Sequence, residues 1–103
     1  MKIIRELSEQ IGEEIEDAHK YITLALKYKD ERRGLADVYA QLSAEEMKHM
    51  AMLHTEATRI IDDYRKTQGE PPAPMMAVYD YLHDKHMARA AEVKAAQALY
   101  REG

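Results

Sequence analysis

The pentapeptide Asp30-Glu31-Arg32-Arg33-Gly34 separates two stretches of helical periodicity and thereby decides the fold. Four charged residues followed by a glycine cannot extend an apolar stripe, and such a cluster is typical of a turn. Apolar residues recur at spacings of three and four before it, over Ile3–Lys29, and after it, over Leu35–Lys66. We therefore predict two helices joined by a short turn, which is an antiparallel helical hairpin.

A second interruption, Gln68-Gly69-Glu70-Pro71-Pro72-Ala73-Pro74, is the strongest helix breaker in the sequence. Proline lacks an N–H donor and clashes with the preceding turn, so the second helix has to end before it. A third helix is predicted from about Pro74 to Arg101, packed on the same subunit or on a neighbour, and no segment alternates as a strand would. We expect an all-α protein with a hairpin over residues 1–67, a Pro-rich linker over 68–74 and a C-terminal helix over 75–103.

Composition excludes several classes of protein. The 103 residues contain no cysteine, which excludes disulfides, zinc ribbons, thiol catalysis and a rubredoxin-type iron site. The formal net charge of −4 without a basic tract argues against nucleic-acid binding. No apolar run approaches the roughly 20 residues of a membrane span, and the N-terminus does not resemble a signal peptide, so we expect a cytoplasmic protein. A chain this short buries only about two-thirds of its unfolded surface, which favours a partner subunit.

Three polar residues interrupt the apolar rows of the hairpin. Glu14 lies in the middle of the first row, and Glu46 and His49 lie together in the second. A carboxylate in a core row needs a partner, a proton or a metal ion, because burying it alone is costly. Glu46-Met47-Lys48-His49 is a Glu-x-x-His motif, whose two functional side chains project from one face of a helix and can ligate one transition-metal ion.

The register of the hairpin predicts that these residues meet. Because the turn centres near position 32, Glu14 is expected opposite His49 and less than one turn from Glu46. Carboxylate-bridged di-metal sites in four-helix bundles use one Glu from each of two helices and Glu-x-x-His from each of the other two. One hairpin supplies half of that set. A two-fold dimer would supply four carboxylates and two imidazoles, which balance the charge of two divalent ions when the imidazoles are neutral.

Two segments carry a family resemblance, namely Gly12-Glu13-Glu14-Ile15-Glu16-Asp17-Ala18-His19-Lys20-Tyr21 and Ala44-Glu45-Glu46-Met47-Lys48-His49-Met50-Ala51. A Glu followed seven residues later by a Tyr, with Glu-x-x-His about thirty residues further on, resembles the ferritin-like superfamily. The resemblance is to its half-ferritin form, seen in encapsulated ferritins and in the core of rubrerythrins. It covers roughly residues 5–65.

The resemblance implies a di-iron protein. Glu14 and Glu46 would be iron ligands, one of them bridging, His49 would be a terminal ligand, and Tyr21 would hydrogen-bond a ligand carboxylate. The fold would be completed as a ferritin-like four-helix bundle by a homodimer or higher homo-oligomer that binds two irons per dimer. The implied activity is that of a ferroxidase, an oxidoreductase that converts Fe(II) to Fe(III) in iron storage or detoxification.

The resemblance also raises the question of an encapsulin shell. Encapsulated ferritins are directed into an encapsulin shell by a C-terminal peptide rich in Gly, Ser and Leu. This sequence ends Ala98-Leu99-Tyr100-Arg101-Glu102-Gly103, in which no such peptide is recognisable. The resemblance therefore leaves two expectations open, a free cytoplasmic protein and a protein enclosed in an encapsulin compartment.

Two other functions are compatible with the same residues. A rubrerythrin-like peroxide reductase would need an external electron donor, because the chain lacks the cysteines of a built-in one. A non-enzymatic helical assembly protein would use the core Glu and His residues as a polar layer that fixes register. The identity of the metal also stays open, since this ligand set accepts iron, manganese or zinc.

Further His and acidic residues have less specific patterns. Asp80, His83 and His86 are spaced by threes on the third helix, which is compatible with an accessory metal site and, more simply, with a polar interface. Glu16 and His19 repeat the Glu-x-x-His spacing but point away from Glu14, so we expect them to face solvent or a neighbouring subunit. The remaining histidine of the second helix, His54, lies off the main row and is expected to be exposed.

Overall fold

A computed structural model, which describes residues 2–103, consists of three helices. They are α1 (Lys2–Tyr28), α2 (Arg33–Gln68) and α3 (Ala73–Glu102), and no strand occurs within these residues. The all-helical class is confirmed, and every helix end lies within two residues of its predicted position. The helices run side by side in a rod 55 Å long and 19 Å wide.

Each of the two connections has a local cause. The α1–α2 turn is closed by the Arg32 amide, which donates to the Tyr28 carbonyl at 2.9 Å. Gly34, which the sequence placed in the turn, lies instead in the first turn of α2. The α2–α3 connection begins at Gly69, whose φ of +83° is a conformation that favours glycine. Pro74 then lies near the start of α3, where its missing N–H has no intrahelical acceptor.

The contact between α1 and α2 uses a different row of α2 from the predicted one. Large residues at 35, 42, 49, 56 and 60 form the predicted row, whereas the buried residues each lie one position later, at Ala36, Ser43, Met50, Ala57 and Ile61. One residue is about 100° around a helix, so the predicted row points to the side. The small side chains bring the two backbones close, and the Ser43 hydroxyl donates to the Ala18 carbonyl at 2.7 Å.

Helix α3 packs on the same subunit and mainly against α1. Its residues Ala90 and Val93 share a buried cluster with Ile15 of α1. Nearer the C-terminus, the buried Tyr100 donates a hydrogen bond from its hydroxyl to Asp37. Burial and the Asp37 carboxylate raise the pKa of the Tyr100 phenol, so it stays a protonated donor.

One side of the hairpin is left uncovered. Helix α3 lies against Gly12 and Glu16 of α1, and both lie about 200° around the helix from Glu14. The opposite side, here called the open face, carries large apolar residues that are 42–70% exposed. The open face comprises Ile3, Glu14, Tyr21, Leu35, Val38, Leu42, Glu46, His49 and Met52.

Candidate metal centre

The structure brings Glu14, Glu46 and His49 together in the middle of the open face. One ligand atom from each side chain lies within 4.8 Å of the other two. Within residues 2–103 this is the only group of three or more His and acidic residues with that spacing. The three meet because the turn pairs the centre of α1 with the centre of α2, as the register of the hairpin predicts.

The distances within the cluster suit a shared cation better than direct hydrogen bonds. His49 Nδ1 lies 3.6 Å from Glu14 Oε2 and 3.7 Å from Glu46 Oε2. Both separations exceed the usual N–H···O range of about 2.7–3.2 Å. Donor atoms bound at about 2.0–2.2 Å to one ion lie roughly 3–4 Å apart, which is the spacing that these atoms have.

The electrostatics of the cluster favour a positive charge between its members. The Glu14 carboxyl beside Glu46 raises the pKa of Glu46, and burial raises it further, while His49 acts in the opposite direction. Two carboxylates at one site repel each other, so one of them retains a proton more readily. A cation bound between them would remove this repulsion and displace the proton.

The cluster is half-buried and open to one side. The side chains of Glu46 and Glu14 are 19% and 27% exposed, and that of His49 is 55% exposed. The sequence predicted inward-facing positions, but Ile15 rather than Glu14 is buried on α1. On α2 the small-residue row occupies the contact with α1 and turns Glu46 and His49 toward the edge of the hairpin. One chain therefore offers three donor groups around a site that is accessible from the open face.

Tyr21 lies on the same face, about two turns along α1 from Glu14. Its ring stacks with that of Tyr39 at a centroid distance of 6.1 Å, and Tyr39 stacks with Tyr28 at 6.4 Å. Within residues 2–103 the Tyr21 hydroxyl makes no hydrogen bond with either carboxylate of the cluster. Its role in supporting a ligand stays a prediction from the family resemblance.

The other candidates are separated by the packing of α3. His86 lies over Gly12, where an added Cβ would be 2.9 Å from the imidazole Nε2. The His83 ring instead stacks on that of His54 of α2. Asp80, His83 and His86 are therefore not brought together as one metal-binding group. The pairing of His54 with His83 was missed because it depends on which helix α3 packs against, and no spacing along the chain encodes that.

Glu16 and His19 take no part in the cluster. The Glu16 carboxylate is exposed and accepts a hydrogen bond from Arg89 at 3.0 Å, while His19 is half-buried. Glu16 therefore joins α1 to α3 on the covered side of the hairpin, which agrees with the expectation that it points away from Glu14.

No family model, curated protein or solved structure matches this chain. The resemblance to half-ferritins therefore depends on the quoted motifs alone, and a function has to be argued from the site. Within residues 2–103, no helix combines the length and apolar character that crossing a membrane requires.

Proposed function

We propose that two copies of this chain pair through the open face and bind two ferrous ions, which are oxidised to Fe(III) by dioxygen or peroxide. The observation that carries the proposal is the convergence of Glu14, Glu46 and His49 on an uncovered apolar face. Fe(II) is the substrate of this ferroxidase, and the two-fold pair of hairpins is its catalytic unit.

The number of metal-ligating side chains in one chain supports the pairing of two chains. A single chain offers two carboxylates and one imidazole, which leaves an iron ion with several open coordination positions. A two-fold axis through the open face doubles this set and places each cluster opposite its copy. The same contact would bury Leu35, Val38 and Met52, which are 42%, 53% and 70% exposed in the single chain. Hydrophobic burial and metal binding thus favour the same dimer.

Charge balance supports divalent ions as the occupants. Four carboxylates from two chains match the charge of two Fe(II) ions when the imidazoles are neutral. Without metal, the neighbouring Glu14 raises the pKa of Glu46, because two carboxylates at one site repel each other. We therefore expect metal binding to release protons and to stabilise the paired form.

The residues of the cluster have distinct tasks in the proposed reaction. The carboxylates of Glu14 and Glu46 attract the cations and, as anionic ligands, favour the higher charge of the Fe(III) product. His49, a neutral ligand, completes the set without adding charge. Two Fe(II) ions supply two electrons, and dioxygen takes these up with two protons from water to give hydrogen peroxide.

Iron oxidation by wild-type protein and single variants tests the proposal. Protein loaded anaerobically with Fe(II) and then exposed to air should develop near-ultraviolet ferric absorbance faster than Fe(II) in buffer. Glu46→Ala and His49→Ala should each slow the rise at least tenfold. Glu45→Ala is the matched control, because Glu45 is an adjacent carboxylate that lies outside the cluster and contacts Gln41. Equal rates for Glu46→Ala and wild type would refute the proposal.

Replacing dioxygen with peroxide separates the two redox functions. A ferroxidase consumes oxidant in proportion to the Fe(II) supplied and stops when the iron is exhausted. A peroxide reductase would continue to consume peroxide while an external reductant is present. Sustained turnover that Glu46→Ala abolishes would replace ferroxidase with peroxide reductase as the function of this site.

A further inference from the structure

The imidazoles of His54 and His83 face each other across a cleft between α2 and α3. Their ring centroids are 5.0 Å apart and their planes differ by 24°. The cleft has a volume of about 350 Å³. Within residues 2–103, no nitrogen of either ring takes part in a hydrogen bond or an ion pair. Two imidazoles thus meet in a cleft with no protein group between them.

The walls of the cleft supply oxygen donors. Asp80 and His83 both line the cleft. Asp80 precedes His83 by three residues, which is the same spacing as that of Glu46 and His49 on α2. Thr58, Asp62 and Tyr79 are also in the lining.

Arg65, whose cationic side chain lines the cleft, is already paired with carboxylates. Arg65 lies 3.6 Å from Asp62 and 3.2 Å from Glu70, so its charge is balanced by carboxylates of its own neighbourhood. Asp80 makes no ion pair within residues 2–103. It is therefore the carboxylate of this cleft that is free to meet a positive charge.

The surroundings of His54 favour the form of the imidazole that binds metals. Burial lowers the pKa of His54, and the neighbouring His83 lowers it further. A neutral imidazole has the lone pair that a metal ion needs, whereas a protonated one repels the ion. The burial that lowers the pKa of His54 therefore also favours metal binding by this imidazole.

We infer that His54 and His83, with Asp80 as a third donor, form a second transition-metal site that joins α2 to α3. Two nitrogens on one tetrahedral ion are about 3.4 Å apart when each bond is about 2.05 Å long. The two rings are stacked with centroids 5.0 Å apart, so both imidazoles and Asp80 have to turn about their side-chain bonds before their donor atoms reach one ion. Imidazole-rich sites favour Zn(II), Ni(II) and Cu(II), so the site takes ions of that class.

This site is independent of the cluster on the open face. His54 follows His49 by five residues and lies about 140° around α2 from it, on the side that α3 covers. The inference therefore does not rest on the proposed ferroxidase. A metal bound here would link α2 and α3 through three side chains and make their packing more stable.

Metal binding by the chelator-treated full chain tests the inference, with Co(II) as a spectroscopic substitute for Zn(II). The Glu46→Ala variant, which lacks the open-face cluster, should still bind one Co(II) per chain by calorimetry and give the visible absorbance of nitrogen-ligated cobalt. Adding His54→Ala or His83→Ala to this background should weaken binding at least tenfold. His19→Ala, a half-buried histidine of α1, is the matched control and should leave affinity unchanged.

Two further measurements keep the result unambiguous. In the Glu46→Ala background, His83→Gln preserves a polar side chain, so the far-ultraviolet circular dichroism should stay unchanged while Co(II) binding is lost. In NMR spectra, Zn(II) should shift the ring-proton signals of His54 and His83 and leave that of His19 in place. Equal Co(II) affinity of Glu46→Ala with and without His83→Ala would overturn the inference. Retained binding in Glu46→Ala without ferroxidase activity in wild type would refute only the proposed function.

Discussion

The two sides of α2 differ in how fully their polar side chains are hydrogen-bonded within the chain. On the covered side, the buried Ser43 hydroxyl donates to Ala18 and accepts from the Gln97 amide at 2.9 Å. On the open face, the His49 imidazole lies 3.6 Å from Glu14 and 3.7 Å from Glu46, which is longer than a hydrogen bond. The polar groups of the covered side are hydrogen-bonded within one chain, whereas the three ionisable groups of the open face contact one another at longer range. This difference supports the proposal that the open-face cluster binds a metal ion.

The same contrast holds for apolar residues. The covered side of α2 packs with small residues such as Ala36 and Ala57, which are fully buried. The open face has larger ones, and Val38 and Met52 remain more than half exposed. Exposed apolar patches around polar groups are typical of interaction surfaces. The difference supports the proposal that a second copy covers the open face, which α3 leaves uncovered.

The largest expected effect comes from placing a charge on the open face. Val38→Asp should prevent pairing, because the new carboxylate would be buried against the partner without a counter-charge. Light scattering should then give the mass of a single chain, and iron oxidation should fall at least tenfold although all three ligands remain. Val78→Asp, on α3 and 60% exposed, is the control and should keep both properties. A paired, active Val38→Asp protein would show that the open face is not the interface.

A smaller effect is expected on the covered side. Ser43→Ala removes the hydroxyl that joins Ala18 to Gln97 and leaves the partly buried Gln97 amide without its acceptor. The free energy of unfolding should fall by about 1–2 kcal/mol in urea titrations. The exposed Thr58, whose hydroxyl donates to the His54 carbonyl at 3.1 Å, offers a control in Thr58→Ala, which should change stability by less than about 0.5 kcal/mol. A loss as large in the control would remove the distinction between the two groups.

Removing the charge of Glu46 should stabilise the metal-free protein, whereas Ser43→Ala should destabilise it. The raised pKa of Glu46 means that folding favours its protonated form, so this contribution to stability is present at low pH and lost as the carboxyl ionises. Glu46→Gln should therefore raise the melting temperature of the metal-free protein at pH 7 by a few degrees while abolishing Fe(II) binding at the open face. Glu45→Gln should leave both unchanged. A lower melting temperature for metal-free Glu46→Gln would contradict the repulsion on which the site depends.

The smallest expected effect is the pH dependence of the α2–α3 cleft. The folded-state pKa of His54 lies below its ordinary value of 6.5, so the unfolded chain binds more protons as the pH falls. This contribution to stability is complete above pH 6.5 and declines below it, by less than about 1 kcal/mol for a partly exposed group. Thermal melting between pH 7.5 and 5.5 should show a shallower decline for His54→Gln than for wild type. Parallel curves would show that His54 does not contribute.

The helices and the meeting of the metal-site residues could be predicted from local patterns. The turn at 30–34, the prolines of 68–74 and the three-four spacing are properties of neighbouring residues, and they give the helix ends within two positions. The convergence of Glu14 with Glu46 and His49 follows from the same information, because a short turn fixes which residues of two antiparallel helices are level. The all-helical class is confirmed, whereas the four-helix bundle made by two chains stays a prediction.

The choice between adjacent rows of α2 could not be predicted in this way. Leu35 and Leu42 begin a more hydrophobic row than Ala36 and Ser43, yet the smaller side chains face α1 because they allow a closer approach of the helices. Hydrophobicity alone therefore ranks these two rows in the wrong order for the contact between α1 and α2. The meeting of His54 and His83 depends on where α3 crosses the hairpin, which is a property of the assembled core.

Native mass spectrometry of the His83→Ala protein, loaded anaerobically with Fe(II), tests the central claim most directly. This variant removes the proposed second site, so that only the open-face cluster contributes to the number of iron ions bound. The account predicts assemblies with an even number of chains and two iron ions per pair, and no bound iron after the further change Glu14→Ala. Single chains that each hold one iron ion, or paired chains whose iron content is the same with and without Glu14, would contradict it.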